Sequence, residues 1–147
     1  MKKIILSVAL VLGCLTFANA QQNALGLKFG SGVDLSYQRT LRSDNRLELN
    51  LGLSSFDNGN VAVSGLYQWM WNILGGFNWY VGAGAGASFG GDSFGLSVLG
   101  NAGIEYNFAN FPLQLAFDYT PGLNITPSFG TAYFGERGIR FAARWRF

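Results

Sequence analysis

Four acidic residues are the best candidates for chemistry in this sequence, because each stands on the polar side of an alternating segment. Carboxylates that share a site can act as a general acid and a general base. Buried charges must otherwise be paired and hydrogen-bonded, and three basic residues fall on the same polar side. We therefore expect ion pairs rather than catalysis. The expected network consists of Lys28, Asp34, Glu48, Glu105, Asp118, Arg140 and Arg144.

Other common catalytic groups are missing from the sequence. It contains no histidine, and its one cysteine, Cys14, lies near the N-terminus. Ser-His-Asp and Cys-His catalysis and histidine metal sites are therefore excluded as they are usually built. The glycine-rich run 82–86 is not followed by the Lys-Ser/Thr pair of a phosphate-binding loop. We expect no enzyme activity, no metal and no cofactor.

Residues 1–20 read as an export signal rather than as part of the fold. Lys2 and Lys3 precede the apolar stretch 4–17, and Ala18 and Ala20 form an A-x-A cleavage site before residue 21. Residues 21–147 then form a single domain. In an alternative reading, residues 11–14 are a lipoprotein processing site and Cys14 is lipidated.

Charge and composition narrow the class of protein. The chain has 10 Lys and Arg against 8 Asp and Glu, so loss of Lys2 and Lys3 with the signal leaves it neutral, with no basic excess for nucleic acid. Its 21 Gly, 16% aromatic and 12% charged residues favour strands. Beyond the signal there is no apolar run of the length that a membrane helix requires. If the chain spans a membrane, it does so as a closed barrel.

Alternation with period 2 runs through the whole domain and is clearest at its end. In the last segment Ile139, Phe141 and Trp145 share one side, and Arg140 and Arg144 share the other. Residues 23–30 and 33–38 form two strands joined by a turn at 31–32, or alternatively one long strand with a glycine kink. We predict an antiparallel up-and-down barrel of eight strands. The strands begin near Asn23, Val33, Arg46, Val61, Phe77, Leu96, Pro112 and Glu136.

The longest predicted loop is Pro121 to Gly135. It carries Phe129, Tyr133 and Phe134 among small polar residues, and so is a candidate external contact surface or a solvated cap.

Side-chain size indicates which face of the barrel is inside. The interior of an eight-stranded barrel has just enough room to be filled by side chains, and the apolar face carries most of the leucines and aromatics. That face is therefore expected to meet lipid, with aromatic residues gathered at both ends of the barrel. Arg39, Arg42 and Arg46 lie near a strand end, where we expect them to reach the lipid headgroups.

These features make the chain resemble small outer-membrane β-barrel proteins of Gram-negative bacteria, similar in plan to the barrel domain of outer-membrane protein A. The resemblance rests on the signal ending Ala18-Asn19-Ala20, the alternating strands and the terminal residues 144–147, RWRF. It implies a transmembrane barrel with both termini in the periplasm. It departs from the family in the short turn at 31–32, and we expect no soluble domain that binds peptidoglycan.

The same resemblance implies partners. A last strand that ends in Phe is the signal read by the barrel-assembly machinery, which points to Phe141, Ala143, Trp145 and Phe147. Outer-membrane lipid is the other expected partner, and the barrel is expected to be a monomer. We expect a structural, adhesion or envelope-integrity role. The alternative is a narrow channel or carrier for a small solute or lipid, because inward glycines such as Gly84 and Gly86 could leave a cavity.

Overall fold

The structure, a computed structural model, describes residues 22–30, 32–52, 60–90, 93–126, 130–131 and 138–147. The predicted signal, with Ala18 and Ala20, lies outside the described residues, as do Cys14 and the aromatic residues 129, 133 and 134. Within the described residues, no helix is long and apolar enough to cross a membrane.

Strands account for most of the described residues, as their alternating sequence predicts. They are β1 Asn23–Phe29, β2 Val33–Thr40, β3 Asn45–Gly52, β4 Asn60–Leu74, β5 Phe77–Gly90, β6 Ser93–Asn107, β7 Leu113–Tyr119, β8 Gly122–Thr126, β9 Gly130–Thr131 and β10 Ile139–Arg146.

Eight of these strands close into an antiparallel barrel, as predicted. Strands β1 to β7 pair in sequence order, and β10 lies between β7 and β1. The pairing of β1 with β10 closes the barrel, and we call it the seam. At the seam Ala24 lies opposite Arg146, and the backbones of Asn23 and Phe147 exchange hydrogen bonds of 3.1 and 2.8 Å. β1 and β2 are separate strands that pair with each other, so the alternative of one long strand is wrong.

The prediction of a loop over residues 121–135 is wrong at its start, because Gly122–Thr126 forms the strand β8. β6 extends beyond the last residue that β7 pairs with, and β8 continues along that edge, with Val98 opposite Leu123. Pro121 separates β7 from β8, and its carbonyl accepts a hydrogen bond from the Gly100 amide at 2.8 Å. The alternation of Leu123 and Ile125, both exposed, with Asn124 was already visible in the sequence.

The barrel has its polar side chains inside and its large apolar side chains outside. Among the described residues, polar and charged residues outnumber apolar ones in the buried set. Exposed apolar residues cover the outer surface, including Trp145 at 55% and Phe117 at 52% exposure. We refer to the end that carries Asn23 and Phe147 as the terminal end, and to the opposite end as the far end.

Candidate functional site

Glu48 is the centre of a hydrogen-bonded cluster inside the barrel. β3 turns this residue inward because its neighbours Leu47 and Leu49 face out, and the Glu48 side chain is fully buried. Five side chains donate to its two oxygens. The donors are Lys28 Nζ at 2.8 Å, Gln38 Nε2 at 2.7 Å, Asn50 Nδ2 at 2.9 Å, Gln68 Nε2 at 3.0 Å and Arg144 Nη2 at 3.3 Å.

Lys28 joins Glu48 to a second carboxylate. Its Nζ lies 2.8 Å from Glu48 Oε1 and 3.1 Å from Asp118 Oδ2. Asp118 also accepts a hydrogen bond of 2.7 Å from the hydroxyl of Tyr80, which reaches across β6 from β5. Gly103 stands between them, and a Cβ built there would lie 2.8 Å from the Tyr80 oxygen and closer still to the Asp118 side chain. The glycine therefore makes room for this contact.

Arg144 connects three strands through its guanidinium group, which has no exposed surface. Nε donates to Ser36 Oγ at 2.9 Å, Nη1 donates to Gln114 Oε1 at 3.2 Å, and Nη2 donates to Glu48. Gln114 in turn donates to Glu105 at 3.2 Å. Through Arg144, the last strand is tied to the interior side chains of β2, β3 and β7.

Arg46 belongs to the same interior cluster, so the expectation that it reaches headgroups beside Arg39 and Arg42 is wrong. Its Nη1 lies 2.5 Å from Glu105 Oε2, and its Nε donates to Gln68 Oε1 at 2.5 Å. The guanidinium carbon also stands 4.6 Å from the centre of the Tyr80 ring, in a cation–π contact. Arg39 and Arg42 are exposed.

Two signals in the sequence could have placed Arg46 inside. It stands two residues before Glu48 on the same strand, so both side chains point to the same face. The predicted network also had one carboxylate more than it had cations, and Arg46 supplies the missing positive charge. Lys28, Arg46, Arg140 and Arg144 now balance Asp34, Glu48, Glu105 and Asp118.

Arg140 and Asp34 form a separate ion pair toward the far end. Arg140 Nη1 lies 3.1 Å from Asp34 Oδ2, and both side chains keep some exposure, 9% and 18%. The structure thus brings Lys28, Glu48, Asp118 and Arg144 into one cluster and joins Glu105 to it through Arg46 and Gln114. It places Arg140 and Asp34 beside the cavity described next.

A cavity of about 270 Å³ occupies the far end of the interior. Small residues such as Ala62, Ser64, Gly86 and Ser97 form much of its wall, together with Leu66, Leu99 and the Arg140–Asp34 pair. Gly84 does not line the cavity. A Cβ at that position would strike the backbone of Gly65 and Leu66, so this glycine allows close packing of neighbouring strands.

The four residues of the expected assembly signal lie on β10 and directly after it. Phe141 and Trp145 are exposed, and Ala143 is half-buried. On the neighbouring strand β1, Phe29 lies opposite Phe141, Leu27 opposite Ala143 and Leu25 opposite Trp145. Phe147, which follows the strand, is also half-buried.

The interior carboxylates are arranged for ion pairing. Each of the four has a cationic nitrogen within 2.5 to 3.1 Å. In the part of the chain that the structure describes, no three His, Cys, Asp or Glu side chains are grouped so that they could hold a metal ion.

A comparison with solved structures supports this architecture, whereas comparisons of the sequence found no match. No family model matches the chain, and no curated protein matches its sequence. Among solved structures, it is similar to the N-terminal β-barrel domain of OprF from Pseudomonas aeruginosa, with a TM-score of 0.60 and 16% identity. The match covers 86% of this chain and 98% of that domain. The chain therefore has the fold of the small, OmpA-like eight-stranded outer-membrane barrels, as its sequence resemblance predicts.

Proposed function

We propose that the protein is a non-enzymatic integral barrel of the bacterial outer membrane with a structural, adhesion or envelope-integrity role. The observation that carries this proposal is the distribution of side chains. Apolar side chains cover the outside of the barrel, and the charged groups that form ion pairs lie within it. A surface of this kind is costly in water, whereas lipid covers it without penalty.

The outer aromatic residues support the same placement. Trp69, Trp71, Trp79 and Trp145 are exposed toward the terminal end, and Phe89 and Phe94 are exposed at the far end. Aliphatic residues such as Leu49, Val63 and Val98 are exposed between them. Aromatic residues at both ends of an apolar band are typical of barrels that cross a membrane.

The connections between strands favour a periplasmic location for both termini. At the terminal end the described connections are short, namely residues 41–44, 75–76 and 108–112. Outer-membrane barrels have short turns on the periplasmic side and longer loops outside. The far end has the two longest connections, 53–59 and 120–138, although 30–32 and 91–92 are short, so in this proposal the terminal end is the periplasmic side.

Membrane fractionation tests the placement. We expect the protein in the outer-membrane fraction, with a gel mobility that changes on heating because the closed barrel resists unfolding in detergent. A folded protein that stays in the aqueous supernatant without detergent would contradict the proposal.

The proposed assembly signal has its own test. Phe147→Ala is expected to lower the amount of folded barrel in the outer membrane, and Phe111→Ala removes an exposed aromatic at the same end outside β10 as a control. Equal amounts of folded protein for the two variants would argue against a signal at Phe147.

The far-end cavity favours a second candidate, a narrow channel or carrier for a small solute or lipid. Gly86 lines this cavity and Gly84 does not, so Gly86→Phe is the replacement that should block it. Steady openings in planar bilayers that Gly86→Phe abolishes would support a channel. Absence of openings in the original protein would leave a carrier or the structural role.

A further inference from the structure

A second, smaller cavity lies at the terminal end of the barrel and has a different wall. Its volume is about 80 Å³, enough for one small ion or a few water molecules. The chemically important residues of its wall are Arg46, Glu105, Asn107 and Arg146. Of these four, only Glu105 belongs to the ion-pair network predicted from the sequence.

Three buried polar atoms of this wall have no hydrogen-bond partner in the described part of the protein. They are Arg46 Nη2, Asn107 Oδ1 and Arg146 Nε. Arg46 is only 3% exposed, so water around the protein does not reach its guanidinium group easily. Buried polar atoms without partners are rare in folded proteins. Three such atoms around one cavity indicate a bound group that satisfies them.

The charge of the wall selects an anion. Arg46 is paired with Glu105 at 2.5 Å. Arg146 donates from Nη2 to the backbone carbonyl of Phe108 at 2.8 Å, and no ion pair is formed by it among the described residues. Two guanidinium groups thus face one carboxylate. Water could satisfy the hydrogen bonds, but only an anion also balances the partly buried charge.

Asn107 adds a requirement for a hydroxyl group. Its Nδ2 points to Glu105 Oε1 at 3.5 Å, which leaves Oδ1 as an acceptor toward the cavity. We infer that this cavity binds a small oxyanion that carries a hydroxyl, of the hydrogen phosphate type. Arg46 and Arg146 donate to its anionic oxygens, and Asn107 accepts from its hydroxyl. The site goes beyond the proposed membrane role and does not depend on it.

Calorimetric titration of the folded protein with inorganic phosphate tests the site. Sulfate is the matched ion, because it has no proton to donate at neutral pH. We expect one saturable phosphate site per chain and binding of sulfate about tenfold weaker, the cost of leaving one buried acceptor unpaired. Glycerol 3-phosphate serves as a second probe. Binding at least as tight as that of inorganic phosphate assigns the site to a phosphate ester, and weaker binding assigns it to the free ion.

Two variants and one control separate the roles of the side chains. Arg146→Gln should weaken phosphate binding at least about tenfold, as expected for loss of a charged donor. Arg42→Gln makes the same charge change on an exposed arginine at the same end and should leave binding unchanged. Asn107→Leu should remove the preference for phosphate over sulfate. Heat-dependent gel mobility shows that each variant is folded before it is titrated.

The inference is overturned if the original protein shows no saturable phosphate binding, or if Arg146→Gln binds phosphate as well as the original protein does. Equal binding of phosphate and sulfate by the original protein would refute the hydroxyl requirement. Because the comparison of the two ions needs no substitution, the inference is testable even if a variant does not fold.

Discussion

The middle of the barrel interior and its far end are formed by the same strands but are filled differently. In the middle, long side chains such as Arg144, Tyr80 and Gln68 are fully buried and hydrogen-bonded to one another or to carboxylates. At the far end, Ala62, Gly86 and other small residues leave about 270 Å³ unfilled. The alternation of the strands is the same in both regions. The length of the inward side chains therefore decides whether the barrel is closed or hollow.

The ion pairs of the two regions differ in the same way. Glu48 is fully buried and accepts from several donors, whereas the Arg140–Asp34 pair keeps some exposure beside the cavity. A buried charge that loses its partner is costly, and a pair near solvent contributes little. We therefore expect the stability of the barrel to depend mainly on the middle.

Replacing Glu48 should have the largest effect. Glu48→Leu removes the carboxylate shared by Lys28 and Arg144 and should lower the free energy of unfolding by about 3 to 5 kcal/mol. Urea unfolding of the folded barrel in lipid or detergent measures it. A loss no larger than that of Asp34→Asn would refute the difference between the two regions.

Removing Arg144 should be slightly less costly, because Lys28 still faces Glu48. Arg144→Ala leaves Ser36 and Gln114 without this donor and should cost about 3 kcal/mol. Arg42→Ala, on an exposed arginine, is the control and should be neutral. An unchanged unfolding midpoint for Arg144→Ala would count against the ion-pair cluster.

Two glycines on the same face of β5 give a matched pair. A Cβ at Gly84 would strike the backbone of β4, so Gly84→Ala should cost about 2 kcal/mol. A Cβ at Gly86 would meet the Ser97 hydroxyl at 3.0 Å, and the end of Leu99 and the Val63 carbonyl oxygen at an ordinary 3.4 Å, so Gly86→Ala should change the free energy of unfolding by less than about 0.5 kcal/mol. The same unfolding measurement on both variants checks this, and equal losses would show that the far end is not more tolerant.

The hydroxyl of Tyr80 should contribute a smaller amount. Tyr80→Phe removes the hydrogen bond to Asp118 but leaves Asp118 its contact with Lys28, so we expect a loss of about 1 kcal/mol. Tyr106→Phe serves as the comparison, because the Tyr106 ring packs against Phe77 and Phe108. Chemical unfolding measures both variants. A larger loss of unfolding free energy for Tyr106→Phe than for Tyr80→Phe would contradict the role assigned to the Tyr80 hydroxyl.

The smallest effect is expected at the far end. Asp34→Asn keeps the shape of the side chain and weakens only the partly exposed pair with Arg140, so it should cost less than about 1 kcal/mol. The loss should shrink further in high salt, because exposed charges are screened. A larger loss of unfolding free energy that does not depend on salt would mean that this pair is as well shielded from solvent as Glu48 is.

Much of the architecture could be predicted from the sequence because alternation reports the face of each residue directly. It predicts the barrel and also which carboxylates point inward, as Glu48 and Asp118 do. Alternation alone also places Arg46 on the inward face, together with Glu48. The assumption that arginines near a strand end reach the lipid headgroups gave the wrong position. The loop error has a similar origin, because Leu123 and Ile125 continue the alternation past Pro121.

The partners of the inward residues could not be predicted in this way. Contacts across the interior depend on the stagger of the strands around the barrel, which the types of the residues do not determine. Nothing near Arg144 in the sequence indicates that it reaches Ser36 and Glu48. The cavity between Arg46, Asn107 and Arg146 likewise depends on side chains from three different strands.

The seam between β1 and β10 has a consequence for how the barrel forms. Ala24 pairs with Arg146, so the contact that closes the barrel joins the two described strands that are furthest apart in the sequence. Such long-range pairing slows folding, because the entropy of a large loop is lost before the contact forms. Until then both strands have unpaired edges that can associate with other chains. We therefore expect closure of this seam to be the slow step of folding, and the period of greatest risk of aggregation to end with it.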